Sequence, residues 1–220
     1  MAETPKVVPI SMRRLRRAEL PADTVSLARF LIGKVVVREM PFGRIAGRIV
    51  ETEAYPRRDP AAHHFRGLTP RNRSMFLRRG HAYVYFSYGN HFMLNVSAEV
   101  AGVGGGVLIR ALEPLVGIDR MEQQRGTARR VDLARGPGRL AAALNIDRSL
   151  DGVDLCAEGP LWLATLKEPK SIPGDRINAR GALFAVAKSP RIGITRAAHR
   201  LLRFYERGSP YVSGPARLRR

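Results

Sequence analysis

Apolar and polar positions follow two periods along this chain. Val25, Leu27, Ala28, Phe30 and Leu31 form a helical stripe, opened by Asp23 and Thr24 and closed by Gly33. Further helices are predicted over 114–124 and 138–145, the second entered through Gly136 and Pro137, a proline suited to a first helical turn. Period-two alternation predicts strands over 34–39 (KVVVRE) and 47–55 (GRIVETEAY), joined by 41–43. Two β-rich runs within 81–99 flank YGNH at 88–91, a hairpin signal, and a turn over 102–106 leads into an apolar strand over 107–112. A strand is predicted over 153–163, a Pro/Gly/Lys loop over 167–181, and closing strands or links over 184–187, 191–194 and 202–205. Residues 56–80 read as a long polar loop, a length that in a compact domain points to function.

No shift in composition marks a boundary between domains. The expected fold is one α/β (α+β) domain over 21–220, with a mixed, largely antiparallel sheet, surrounding helices and a protruding β-hairpin. Residues 1–20, with Arg13, Arg14, Arg16 and Arg17, read as a basic N-terminal arm, and the Arg-rich end 217–220 as frayed.

Charge adds a partner to this picture. The 220 residues carry 38 Lys+Arg against 19 Asp+Glu, a formal +19, and 33 of the basic residues are Arg. Such an excess predicts a polyanion: DNA, RNA or an anionic membrane face. Guanidinium forks pair with phosphate through two parallel bonds, which favours nucleic acid. The single cysteine, Cys156, excludes an internal disulfide and argues against a thiolate zinc site. No apolar run approaches the 18 residues of a membrane span, and the start shows no leader, so a cytoplasmic protein without metal or other cofactor is expected.

The chemistry concentrates in IVETEAY at 49–55. In a strand Ile49, Glu51, Glu53 and Tyr55 face one way and Val50, Thr52 and Ala54 the other, with the two carboxylates about 7 Å apart. Glu is depleted from strands, so the pair marks either the wet face of an edge strand or a carboxylate that activates water beside an aromatic ring. Tyr83, Tyr85 and Tyr88 crowd the hairpin, with Tyr88 at its tip. In a basic protein such rings either pack in the core or stack on bases. Arg110, alone in an apolar strand, needs an anionic partner, and Glu51 is one choice. His63 and His64 lack the further ligands of a metal site. The basic turn with Arg71 and Arg73 and the RGPGR segment with Arg135 and Arg139 are phosphate candidates.

Ordered blocks connect these residues: VETEAY at 50–55, DPAAH at 59–63, TPRNRSMF at 69–76, YVYFSYG at 83–89, Asn95, VLIRALEP at 107–114, GPGRL at 136–140 and RFYERGSPYVS at 203–213. Together they resemble the mammalian-type alkyladenine (3-methyladenine) DNA glycosylases from about residue 27 to 213. The resemblance implies a base-excision repair enzyme. It would flip alkylated or deaminated purines (3-methyladenine, hypoxanthine, ethenoadenine) from duplex DNA through the minor groove and hydrolyse the glycosidic bond as a monomer. It further implies Glu53 as general base, with Arg110 helping to hold the catalytic water and the phosphate backbone. Tyr55, His63 and Tyr85 would enclose the flipped base, Tyr88 intercalate, and Asn95 disfavour guanine. Backbone at Ile192 and Gly193 would complete the pocket. Asn90 and His91 depart from the bulkier residues common in the family beside the wedge.

No lysine lies between Lys34 and Lys167, so an amine nucleophile is not expected and simple hydrolysis to an abasic site is. Two other functions compete on residues alone. A binding module without chemistry accounts for the charge but leaves Glu51 and Glu53 idle. A sugar glycosidase would use both carboxylates, whose spacing falls near the inverting range of roughly 6.5–9.5 Å, yet the charge disfavours a neutral sugar.

Overall fold

The computed structural model describes residues 10–87, 89–166 and 184–215. Among them, nine strands form one largely antiparallel sheet flanked by three α-helices, as the alternation predicts. The strands are β1 (Met12–Arg14), β2 (Val35–Met40), β3 (Gly43–Tyr55), β4 (Ala82–Ser87), β5 (His91–Ser97), β6 (Gly106–Val116), β7 (Leu161–Leu166), β8 (Val186–Ser189) and β9 (Arg203–Glu206). The helices are α1 (Thr24–Leu31), α2 (Ile118–Arg125) and α3 (Pro137–Ala143). The sheet order is β1-β7-β2-β3-β6-β5-β4, with β9 added to β3 and β8 to β9.

The acidic strand is central, not an edge. β6 runs along one side of β3, while β2 pairs with its first half and β9 with Glu51, Thr52 and Glu53. The β3–β6 ladder shifts register at three points, and the last two are adjacent bulges. Ile49 pairs with Leu112 and Glu51 with Ala111, which leaves Val50 extra on β3. Thr52 then pairs with Ile109, which leaves Arg110 extra on β6. An extra residue resets the alternation of faces. Ile49 therefore packs in the main core with Ala54, contrary to the expected face shared with Glu51, and Val50 joins Ala111, Tyr205 and Tyr211 in a second cluster.

On the core side, α1 is capped by Asp23, whose carboxylate accepts from the Ser26 amide at 2.8 Å. It buries Leu27, Ala28 and Leu31, and its Ala28 carbonyl accepts from the Thr52 hydroxyl at 2.9 Å. The hairpin forms as predicted, with Ser87 opposite His91 and Gly89 at φ 70° in the tip. Its tip end is packed closely: a Cβ on Gly138 of α3 would lie 2.7 Å from the His91 ring.

Several boundaries differ from expectation. The helix expected over 114–124 starts at Ile118, because β6 continues through Pro114 beside β3. The strand expected over 153–163 is instead β7, whereas residues 191–194 form one of the expected links. Of the basic segment 1–20, residues 12–14 pair with β7, and Leu15 and Leu20 enter the core. Residues 1–9, the loop over 167–181, Tyr88 and 217–220 lie outside the described residues.

A buried ion cluster joins three strands. Arg48 on β3 bonds Glu113 on β6 at 2.8 Å and Glu206 on β9 at 2.5 Å, all but sealed from solvent. Removing the cation strands two buried carboxylates. Arg48→Met is expected to lower the unfolding free energy by about 3–5 kcal/mol in urea titrations. A loss below about 1 kcal/mol would show that the cluster does not hold the strands together.

Candidate active site

Strand geometry gathers the candidate residues around one cavity of about 250 Å³. Tyr83 pairs with Asn95 and Tyr85 with Met93, so alternate residues of the hairpin strands line one wall. The other face of the hairpin sends Val84 and Leu94 into the core. Tyr55 and Arg110 come from β3 and β6, His63 from the loop after β3, and Ile192 and Gly193 from the link after β8. All seven pocket residues singled out in sequence (Tyr55, His63, Tyr85, Asn95, Arg110, Ile192 and Gly193) thus meet at one concavity. Tyr88 follows the last residue of β4 and lies outside the described residues.

Glu53 sits behind this wall, fully buried. Its Oε2 accepts from the Tyr55 hydroxyl at 2.8 Å, and its Oε1 from the Ile192 amide at 2.7 Å, with Arg110 Nη1 at 3.2 Å from Oε1. Every group touching the carboxylate is therefore also a wall of the cavity. Burial and the nearby Glu53 charge push the Tyr55 phenol well above its ordinary range, so it keeps its proton and donates.

Glu51 is held differently. Its Oε1 accepts from Arg203 Nε at 2.6 Å, Arg110 Nε at 2.9 Å and the Ser213 hydroxyl at 2.9 Å, while Oε2 accepts from the Ser213 amide at 2.6 Å. Burial would raise its pKa, but Arg110 and Arg203 prevail and hold it below the carboxylate range. Burial likewise opposes the charge of Arg110, yet Glu53 and Glu51 keep that guanidinium firmly protonated. The anionic partner required of Arg110 is thus Glu51, with Glu53 as a second.

Aromatic packing shapes the rest. Tyr83 and Tyr85 stack at 5.3 Å, and the His63 ring meets Tyr85 edge-on at 4.5 Å while its Nδ1 lies 3.0 Å from the Tyr83 hydroxyl. His63 retains an exposed edge, yet packing on its other sides, then Arg71 and His64, lowers its pKa. Asn95 is buried and donates to the Tyr83 carbonyl at 3.2 Å.

The phosphate candidates divide. Arg71 and Arg73 are exposed, with Arg71 5.9 Å from the centre of the Tyr85 ring. Arg135 and Arg139 both rest on Asp132, at 2.5 and 3.0 Å, as does Arg129 at 3.1 Å, so three cations share one carboxylate and leave net positive charge. Arg135 and Arg139 flank a second concavity that shares Arg110 and Ile192 with the first. Among the described residues no cluster of His, Cys, Asp and Glu could hold a metal ion, and no helix is long and apolar enough to cross a membrane.

Sequence patterns missed several contributors. Asn72, buried in the loop, receives the Thr69 amide at 2.7 Å and donates to the His63 and Gly67 carbonyls at 2.9 and 3.0 Å. Asn at a Pro-containing turn was the available signal. Arg203 and Ser213 open and close the RFYERGSPYVS block, but no spacing rule pairs them with Glu51, over 150 residues away in sequence.

Comparison with known proteins accords with this arrangement. Residues 18–210 match the family model described as methylpurine-DNA glycosylase. A protein of Mesorhizobium japonicum, provisionally named 3-methyladenine DNA glycosylase, is 62% identical over 204 residues, 93% of this chain and 92% of its own length. Similarly named proteins of Paraburkholderia phytofirmans and Methanoculleus marisnigri are 49% and 47% identical, covering 93% and 87% of this chain and 90% and 94% of their own lengths. The chain belongs to the methylpurine-DNA glycosylase family. It is a DNA N-glycosylase, a base-excision repair hydrolase that acts on DNA.

Burial, then Arg71 and His64, lowers the His63 pKa and favours the neutral ring. NMR titration is expected to place its protonation midpoint below the 6.5 of a free imidazole. A midpoint above that value would remove the neutral ring from this pocket.

Proposed function

We propose that the cavity receives a damaged purine flipped from the duplex and that Glu53 deprotonates the water that attacks C1′. The observation that carries this is the position of Glu53, whose contacts (Tyr55, Arg110 and the Ile192 amide) are themselves cavity walls. Water entering beside them meets the carboxylate, with Arg110 and backbone at Ile192 and Gly193 to orient it. The transition state gains positive charge at the sugar, which the carboxylate stabilises.

Flipping costs a few kcal/mol, less for a damaged or mispaired base. Tyr88 would offset part of that by entering the stack from the minor groove. Stacking on Tyr55 and Tyr85 contributes about 1–3 kcal/mol per contact. His63 completes the enclosure, and Asn95 opposes the 2-amino group of guanine. Arg71, near the Tyr85 ring, exposed Arg73 and the net positive cluster of Arg135 and Arg139 grip phosphates as the protein acts as a monomer.

Cationic alkylated purines leave readily; neutral hypoxanthine and ethenoadenine rely more on contacts to the leaving base. Use of both carboxylates, as in a sugar glycosidase, is disfavoured because Glu51 is committed to four donors.

The test is a panel of lesion-containing duplexes with the released bases identified chemically. Methylated adenine, hypoxanthine and ethenoadenine are expected in solution, with the strand left intact at an abasic site. Release of no purine lesion, or strand cleavage coupled to release by pure enzyme, would contradict the proposal.

A further inference from the structure

A second buried ion pair lies beside the candidate base and was assigned no role by the sequence motifs. Asp59 follows β3 in the loop that carries His63, and Arg191 precedes Ile192 in the link after β8. Both side chains are wholly buried. Arg191 donates Nη1 to Asp59 Oδ2 at 2.7 Å and Nη2 to Oδ1 at 3.1 Å, a two-pronged pairing that fixes the guanidinium plane. Nη1 also donates to the Ala54 carbonyl at 2.9 Å, between Glu53 and Tyr55. The same guanidinium stands 4.6 Å from the centre of the Tyr55 ring.

These contacts converge on Glu53 from two sides. Tyr55 donates to one carboxylate oxygen and the Ile192 amide to the other. Arg191 braces the ring of the first donor and is the chain neighbour of the second. Asp59 in turn fixes Arg191, and its loop is tied at the Asp59 carboxylate, which accepts from the Ala61 amide at 2.9 Å. One ion pair thus registers β3, the His63 loop and the 191–194 link against each other.

We infer that Asp59 and Arg191 are positioning residues that hold the Tyr55 hydroxyl and the Ile192 amide on the Glu53 carboxylate, and so set the geometry in which Glu53 meets water. This rests on Glu53 being the base. The pair itself is wholly buried and does not line the cavity. Misplacement of a reacting group by about 1 Å lowers a rate by about a hundredfold without changing which residues are present. A bidentate site also discriminates between the two cations, because a lysine ammonium cannot reproduce the fork.

The experiment measures single-turnover release of methylated purines from methylated duplex DNA, together with DNA affinity and thermal unfolding, for Asp59→Asn, Arg191→Lys, Glu53→Gln and the Asp59→Asn/Glu53→Gln double variant. Asp59→Asn and Arg191→Lys are expected to release base about 10- to 100-fold more slowly, with affinity changed less than about threefold. The double variant is expected to be no slower than Glu53→Gln alone, since residues that act as a unit are not additive. Arg191→Lys keeps the buried charge balanced and carries the test if Asp59→Asn does not fold. Wild-type rates in the folded single variants, a loss confined to affinity, or fully additive losses in the double variant would overturn the inference. An active Glu53→Gln would instead defeat the assignment of the base, whatever Asp59→Asn does.

Discussion

Everything around the site depends on keeping two adjacent carboxylates buried in the middle of a sheet. Unpaired, each would carry a heavy desolvation cost in the core. Two guanidiniums prevent this: Arg203 from β9 bonds Glu51, and Arg110 from β6 spans both acids at 2.9 and 3.2 Å. The paired bulges make that span feasible, because the extra residue on β6 is Arg110 itself. Two acids and two bases balance, and the sheet closes over them.

From this balance the two acids acquire different characters. Glu51 is saturated by donors from β6, β9 and the segment ending at Ser213, and acts as a staple of the fold. The carboxylate of Glu53 is held by Tyr55, Arg110 and the Ile192 amide, all from residues that line the cavity, so these are groups a substrate would meet. Arg110 links the two, since its Nε bonds Glu51, its Nη1 lies 3.2 Å from Glu53, and the residue also lines the cavity. The large arginine excess works around this pair of acids: part of it is consumed inside the protein at Arg48, Arg110, Arg191 and Arg203, and the arginines at the surface are the ones placed to meet phosphate.

Much of this was legible in the sequence because it is local. The hairpin, α1 and the central strands follow from alternation, capping and turn residues within a few positions. The pocket residues lie in short blocks whose strand period sends Tyr83 and Tyr85 to one side. What was not legible is non-local. A bulge is one residue inserted relative to a partner strand, so the face of Ile49 cannot be derived from β3 alone. Pro114 read as the start of a helix because its pairing with Gly47 is invisible along the chain. The pairing of Glu51 with Arg203 and Ser213, and of Asp59 with Arg191, spans more than 130 positions and has no spacing rule.

The division of labour between the two acids is the centre of this account. It is tested most directly by measuring unfolding free energy and base-release rate side by side for Glu51→Gln and Glu53→Gln. The account predicts that Glu51→Gln loses about 3–5 kcal/mol of stability, as a broken buried pair does. It predicts a smaller loss of stability for Glu53→Gln, which gives up one contact to Arg110 while an amide oxygen can still accept from Tyr55 or Ile192, and a release rate that falls by about a hundredfold or more. Near-parental release by Glu53→Gln, or indistinguishable losses of stability and rate in both variants, would contradict it.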